Sequence, residues 1–457
     1  MKRLTLVTLF VLFAITLNAK AKLVFTGSQE SKFTLSRVKD YHNADNKFGY
    51  AEWGYSSLTN LRLKARLGSY LSFDFASNVH LVAGNLATTA AYEYLSTVSK
   101  LSDTRVPDAM LGLFSIPFYL NETYIGGLEI ERLYFKVGTD YFDMQVGLMR
   151  LAHGFGFAFS PNDFFNPKNP YNQNARPSGQ LGGNAVFYPM DTWKIELFGV
   201  APENPLETMG WGSKVGASTM FSIDRFNLQF LYTLFFPTIE FGADPKDYGA
   251  TDLTTNDLVQ IAGFSMKADV EVGLTLDMIY RFDHKVMRSG QFYDRDYRGW
   301  DGLEASIGID YTFAGGDVYF LAEYMFYGPG ALDFGESLDA LYKVDGWEKL
   351  PIAKRGINER KSIGNFLRHN YLFAMVSGRV NDYLSVAGST MINLEDGSWI
   401  LTPFIEVEPF QAFTIRVELA SYYDLYMFSG GKLAAGEFGP SNIGTSNTLN
   451  VVATLKF

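Results

Sequence analysis

The chain has 457 residues, no cysteine and a formal net charge of −10. Without cysteine there is no disulfide framework, and the acidic balance excludes the basic footprint of a nucleic-acid-binding protein. Aromatic residues reach 16%, with 39 Phe and 27 Tyr, while charged residues are only 19% and mean hydropathy is −0.02. Apolar and polar residues are therefore mixed rather than blocked, as strands with one apolar and one polar side require.

Met1-Lys2-Arg3 is a basic start, Leu4 to Leu17 an apolar run, and Ala19-Lys20-Ala21 a small-x-small cleavage site. Residues 1–21 read as a secretory signal peptide, with the mature chain starting at Lys22. No Cys follows the site, so lipoprotein attachment is excluded. Losing Lys2, Arg3 and Lys20 would move the net charge from −10 to −13. Beyond residue 21 no run approaches the ~20 apolar residues of a spanning helix. No Pro/Ser-rich linker or composition break divides residues 22–457, which read as one domain.

Period-two alternation begins at 23–37. It is clearest from Asn60 to Phe75. Leu61, Leu63, Ala65, Leu67, Leu71, Phe73 and Phe75 share one face; Arg62, Lys64, Arg66, Tyr70, Ser72 and Asp74 share the other. A turn is expected at Ser77-Asn78, with Val79, Leu81 and Ala83 resuming the pattern. Further hairpins follow: 128–137 with 141–149, 183–189 with 193–200, 213–223 with 226–235, 257–268 with 270–281, 302–313 with 317–326, 369–379 with 383–392, and 398–407 with 412–424. Eight short turns and a closing strand at 447–457 predict about eighteen antiparallel strands, with sixteen the alternative even count. The other connections are long: about 96–125, 152–182, 201–212, 236–256, 282–301, 327–368 and 425–446. Phe75, Tyr141, Phe142, Trp193, Phe226, Phe313, Tyr383 and Phe410 fall near the short turns, where an aromatic girdle would meet the membrane boundary.

The expected architecture is an all-β, transmembrane, antiparallel up-and-down barrel with both termini periplasmic. Its polar faces carry Arg62, Lys64, Arg66, Lys136, Lys194, Glu196, Glu271, Asp277, Arg281, Glu304, Asp310, Glu406, Arg416 and Glu418. A dry core could not hold so many charges; a water-filled lumen can, so these are the predicted lumen-facing residues.

The last ten residues, Thr448 to Phe457, alternate and end on an apolar-face Phe. This stretch resembles the closing strand of Gram-negative outer-membrane barrels, whose terminal aromatic is read by the barrel assembly machinery. The resemblance implies an outer-membrane location, lipid around the barrel and Phe457 as assembly signal. His153 to Gln180 is rich in aromatics and holds Pro161, Pro167, Pro170 and Pro177, which rule out a central strand. Its Ser160-Pro161-Asn162-Asp163 and Asn166-Pro167 pieces are similar to a segment that follows an early hairpin in large porin-like barrels. That likeness implies an inward fold lining a constriction, with Asp163, Lys168 and Arg176 as its charged members. A packed extracellular cap is the other reading.

The 327–368 stretch holds a short predicted helix, Ser337 to Val344, and a basic half with Lys349, Lys354, Arg355, Arg360, Lys361 and Arg368. It reads as a solvated loop or an anion-attracting gate. Of the five His (42, 80, 153, 284 and 369), His153 and His369 lie near outward strand ends without a spacing cue, and no catalytic motif is present. Asp294, Asp296, Asp301 and Glu304 cluster without an EF-hand pattern. Neither enzyme, metal nor cofactor is expected. The expected function is diffusion of small polar solutes through a constricted channel. The alternative is a plugged barrel whose loops, with Tyr293, Tyr297 and Trp300 in one of them, bind polysaccharide or a host ligand.

Overall fold

The computed structural model describes residues 22–38, 50–84, 115–120, 124–163, 165, 179–201, 213–235, 259–282, 284–288, 291–295, 299–328, 369–423, 428–429, 432–433 and 445–457. The predicted signal peptide, Lys168, Arg176, and the helix and basic half expected within 327–368 lie outside these residues.

Among the described residues, one sheet holds nineteen strands, eighteen of which form the barrel wall. They are β1 (Lys22–Val38), β2 (Tyr50–Leu67), β3 (Leu71–Gly84), β4 (Tyr124–Gly138), β5 (Phe142–Met149) and β6 (Gln180–Met190). Next come β7 (Trp193–Val200), β8 (Lys214–Ile223), β9 (Phe226–Phe235), β10 (Val259–Asp269), β11 (Gly273–Phe282) and β12 (Leu303–Phe313). The last six are β13 (Val318–Tyr327), β14 (Asn370–Asn381), β15 (Leu384–Asn393), β16 (Trp399–Phe410), β17 (Phe413–Tyr423) and β18 (Thr445–Lys456). Each pairs antiparallel with its neighbours in sequence, and β1 also pairs with β18, with Phe33 opposite Val451. These eighteen strands thus form a closed antiparallel barrel in which each is paired on both sides. A further short strand, Ser115–Leu120, pairs with the start of β4.

The register assigns every strand a face. Leu197, Phe230, Ile307, Val376, Ile405 and Val417 stand on the outer face and are all exposed. Asp74, Asn78, Glu196, Gln229, Asp277, Glu323 and Asn450 stand on the inner face and are all buried. An apolar outside and a polar inside invert the layout of a water-soluble sandwich and match that of a membrane barrel.

Three sequence expectations change. The first hairpin turns at residues 68–70, not at Ser77-Asn78. Gly68, at φ 76, makes that turn, and strand β2 starts ten residues before the alternation stands out. Ser77 and Asn78 are buried inside β3, where Asn78 Nδ2 donates to Glu129 Oε2 (3.1 Å). Facing stays as expected because a three-residue turn keeps Leu67 and Leu71 on one side. Phe75 consequently lies mid-strand opposite Leu63, away from the girdle. Glu271 sits in the turn between β10 and β11 at φ 84, so it belongs to neither strand face.

The closing seam is built around Phe457. Gly27 N donates to Phe457 O (2.7 Å) and Phe457 N to Gly27 O (2.9 Å). The Phe457 ring covers Gly27 so closely that a Cβ there would meet ring carbons at 2.5 and 2.7 Å. Glycine here accepts an aromatic ring laid across the seam.

Candidate functional site

After β5 the chain turns into the barrel. Residues 151–163 run across the inner face, and Leu151, His153, Gly156, Ala158, Phe159, Pro161, Asn162 and Asp163 are all buried. The His153 ring starts the crossing. It lies 5.5 Å from the Phe165 ring and 5.0 Å from the Phe198 ring, with Nε2 3.4 Å from Glu196 Oε2. Gly154 N then donates to Gln229 Oε1 on β9 (3.0 Å).

Two carboxylates take most of the backbone donors that follow. Phe155 N and Gly156 N donate to Asp277 on β11 (2.9 and 2.7 Å), as does Ser160 Oγ (3.0 Å). Phe157 N, Ala158 N and Phe159 N donate to Glu323 on β13, the last two at 2.6 and 2.9 Å. Asp277 is 0% and Glu323 2% exposed. Six donors thus satisfy two carboxylates that would otherwise be prohibitively placed, since a buried charge persists only when it is fully hydrogen-bonded. Gly154 has φ 83, and Gly156 leaves no room for a Cβ against Phe159 O. Both glycines let the backbone approach the carboxylates.

The far end is fastened from the other direction. Asn162 Nδ2 donates to Ser265 Oγ (2.6 Å) and Phe264 O (2.9 Å), and Asp163 N to Ser160 O (2.9 Å). Ala158 and Phe159 pack on an apolar part of the wall made by Leu321, Met325, Tyr371, Phe373, Met391 and Ile400. Phe157 lies over Phe373, 6.2 Å between centroids, and remains exposed toward the interior.

The remaining charged positions follow the register. Arg62, Lys64, Arg66, Lys136, Lys194, Glu196, Asp277, Arg281, Glu304, Asp310, Glu406, Arg416 and Glu418 all lie on the inner face. Several pair side to side: Arg62 with Asp74 (2.5 Å), Lys136 with Asp143 (2.8 Å), Arg281 with Glu304 (2.5 Å) and Arg416 with Glu418 (2.8 Å). Asp163 is in the crossing segment, buried, while Lys168 and Arg176 fall outside the described residues. Sequence reasoning missed Glu323, Gln229 and Asn162. Glu323 is a lone carboxylate in the strand Val-Tyr-Phe-Leu-Ala-Glu-Tyr-Met-Phe-Tyr. Its isolation on a half-apolar inner face was the available signal that fixed donors must reach it.

No family model matches the chain, and no curated protein matches it. Solved structures do. The chain is similar to OccK5 (OpdH) of Pseudomonas aeruginosa, at 10% identity over 95% of this chain and 98% of that one, TM-score 0.47. It is similar to Pseudomonas aeruginosa OpdK with vanillate, at 8% identity over 96% and 98%, TM-score 0.49. A BenF-like porin from Pseudomonas fluorescens Pf-5 gives 8% identity over 96% and 98%, TM-score 0.49.

Proposed function

We propose that the chain is an outer-membrane channel through which small polar solutes diffuse, narrowed by residues 151–163. The observation that carries this reading is the crossing segment itself. A closed barrel with an apolar outside and a charged inside holds a stretch of chain across its interior, pinned by Asp277 and Glu323. A stretch so placed reduces the free cross-section to what remains between it and the opposite, charged wall. Lys168 and Arg176 would continue the constriction that begins at Asp163. The short-turn end, where β1 begins and β18 ends, would face the periplasm after export by residues 1–21 and insertion by the assembly machinery. Selection would combine size with the local charge of the inner face.

Liposome swelling tests this. Protein-loaded vesicles should swell in small neutral sugars, and the rate should fall steeply as the sugar grows from mono- to tetrasaccharide. Vesicles that do not swell in any sugar, with insertion verified, would favour the plugged, surface-binding barrel.

A further inference from the structure

At the short-turn end, the inner faces of β1 to β4 enclose a cavity of about 320 Å³ lined by Lys22, Lys64, Arg66, Ser72, Tyr134 and Lys136, among others. Lys22 stands directly opposite Arg66, and Arg66 directly opposite Ser72, which in turn faces Lys136. The carboxylate in the lining is Asp74. It is committed elsewhere, accepting from Arg62 Nε (3.0 Å), Arg62 Nη2 (2.5 Å) and Tyr134 Oη (3.3 Å). Lys136 is held by Asp143 (2.8 Å). Among the described residues, Lys22, Lys64 and Arg66 have no ion-pair partner, and all three are exposed to the cavity side.

Elsewhere on the inner face Lys194, Lys267, Arg281 and Arg416 each lie within 4 Å of a carboxylate, while Lys32 and Lys456 have no ion-pair partner among the described residues and line no such cavity. Like charges directly opposite one another in a sheet repel. Lys22 and Arg66 are opposed in this way, and Lys64 stands opposite Asp74, whose charge is taken by Arg62; three cations facing one concavity, in a chain of net charge −10, form a site for a counter-charge. Two ammonium groups, one guanidinium fork and a hydroxyl suit an oxyanion with several oxygens. A single-charge carboxylate would leave two cations uncompensated. The inner face also keeps the site away from bilayer phosphates.

We infer that this cavity binds a small solute bearing a phosphate group with at least two negative charges. The site does not depend on the channel being open, so binding and conduction can fail separately. The test is calorimetric titration of the full chain, purified from membranes in neutral detergent, with inorganic pyrophosphate, citrate and acetate. Pyrophosphate should bind one to one, at least tenfold more tightly than acetate and more tightly than citrate. The Lys64→Gln/Arg66→Gln variant should weaken pyrophosphate at least tenfold, while Lys267→Gln, whose lysine pairs with Asp269 on its own strand β10, away from the cavity, should leave it unchanged. Raising salt should weaken it further. Lys22→Gln, at the open end of β1, serves if the double variant fails to insert. Absence of saturable heat, equal affinity for acetate, tighter citrate, or indifference to the variants would overturn the assignment.

Discussion

Asp277 and Glu323 decide where the crossing segment lies. Removing both carboxylates in Asp277→Ala/Glu323→Ala takes these acceptors from five backbone N–H groups and leaves Ser160 Oγ with His153 O (3.3 Å). A buried donor left unsatisfied costs about 1–3 kcal/mol. The segment should therefore detach while the ladder hydrogen bonds of the wall persist. Limited proteolysis should cut within 151–163 in the variant and spare the wild type; protection equal to wild type would contradict this role. Alternation alone put Asp277 on the inner face, because a period of two needs no partner to be legible. Its hydrogen-bond partners were not legible. They lie more than 100 residues away in sequence, and no local pattern records a contact of that separation.

At the scale of elements, glycine positions fix how closely strands pair. Gly147 on β5 has φ 133, and a Cβ there would collide with Leu133 O and the Tyr134 backbone on β4. Gly147→Ala adds strained backbone of about 1–3 kcal/mol to that collision. It should lower the fraction of heat-modifiable, folded protein on a gel; an unchanged fraction would show that β4 and β5 can separate there. Gly27→Val should act similarly at the seam, by displacing the Phe457 ring. The misplaced first turn teaches a related lesson. The run through residues 60–75 keeps its alternation across the bend, so period-two counting could not see that two strands, not one, carry it. Gly68 was the signal for the bend, and its meaning depends on a positive φ that sequence does not display. The strand total still agrees because the one missed bend at 68–70 was offset by the one turn wrongly expected at Ser77-Asn78.

The whole molecule is a cylinder whose outer and inner faces follow from one repeated choice, apolar then polar, made along eighteen strands. That choice was fully legible in the sequence. The ladder that joins β18 to β1 from Val38 to Ser28 ends in paired hydrogen bonds between Gly27 and Phe457. Deleting Phe457 should lower the yield of membrane-inserted, heat-modifiable protein several-fold; normal yield would mean that the seam closes without it. What the interior does is settled by current. The decisive measurement is single-channel conductance in a planar bilayer, comparing the wild-type protein with Asp277→Ala/Glu323→Ala. A steady wild-type conductance that rises when the carboxylates are removed is the predicted result. A wild-type barrel that inserts but carries no current, or a conductance indifferent to the loss of both carboxylates, would contradict a channel narrowed by residues 151–163.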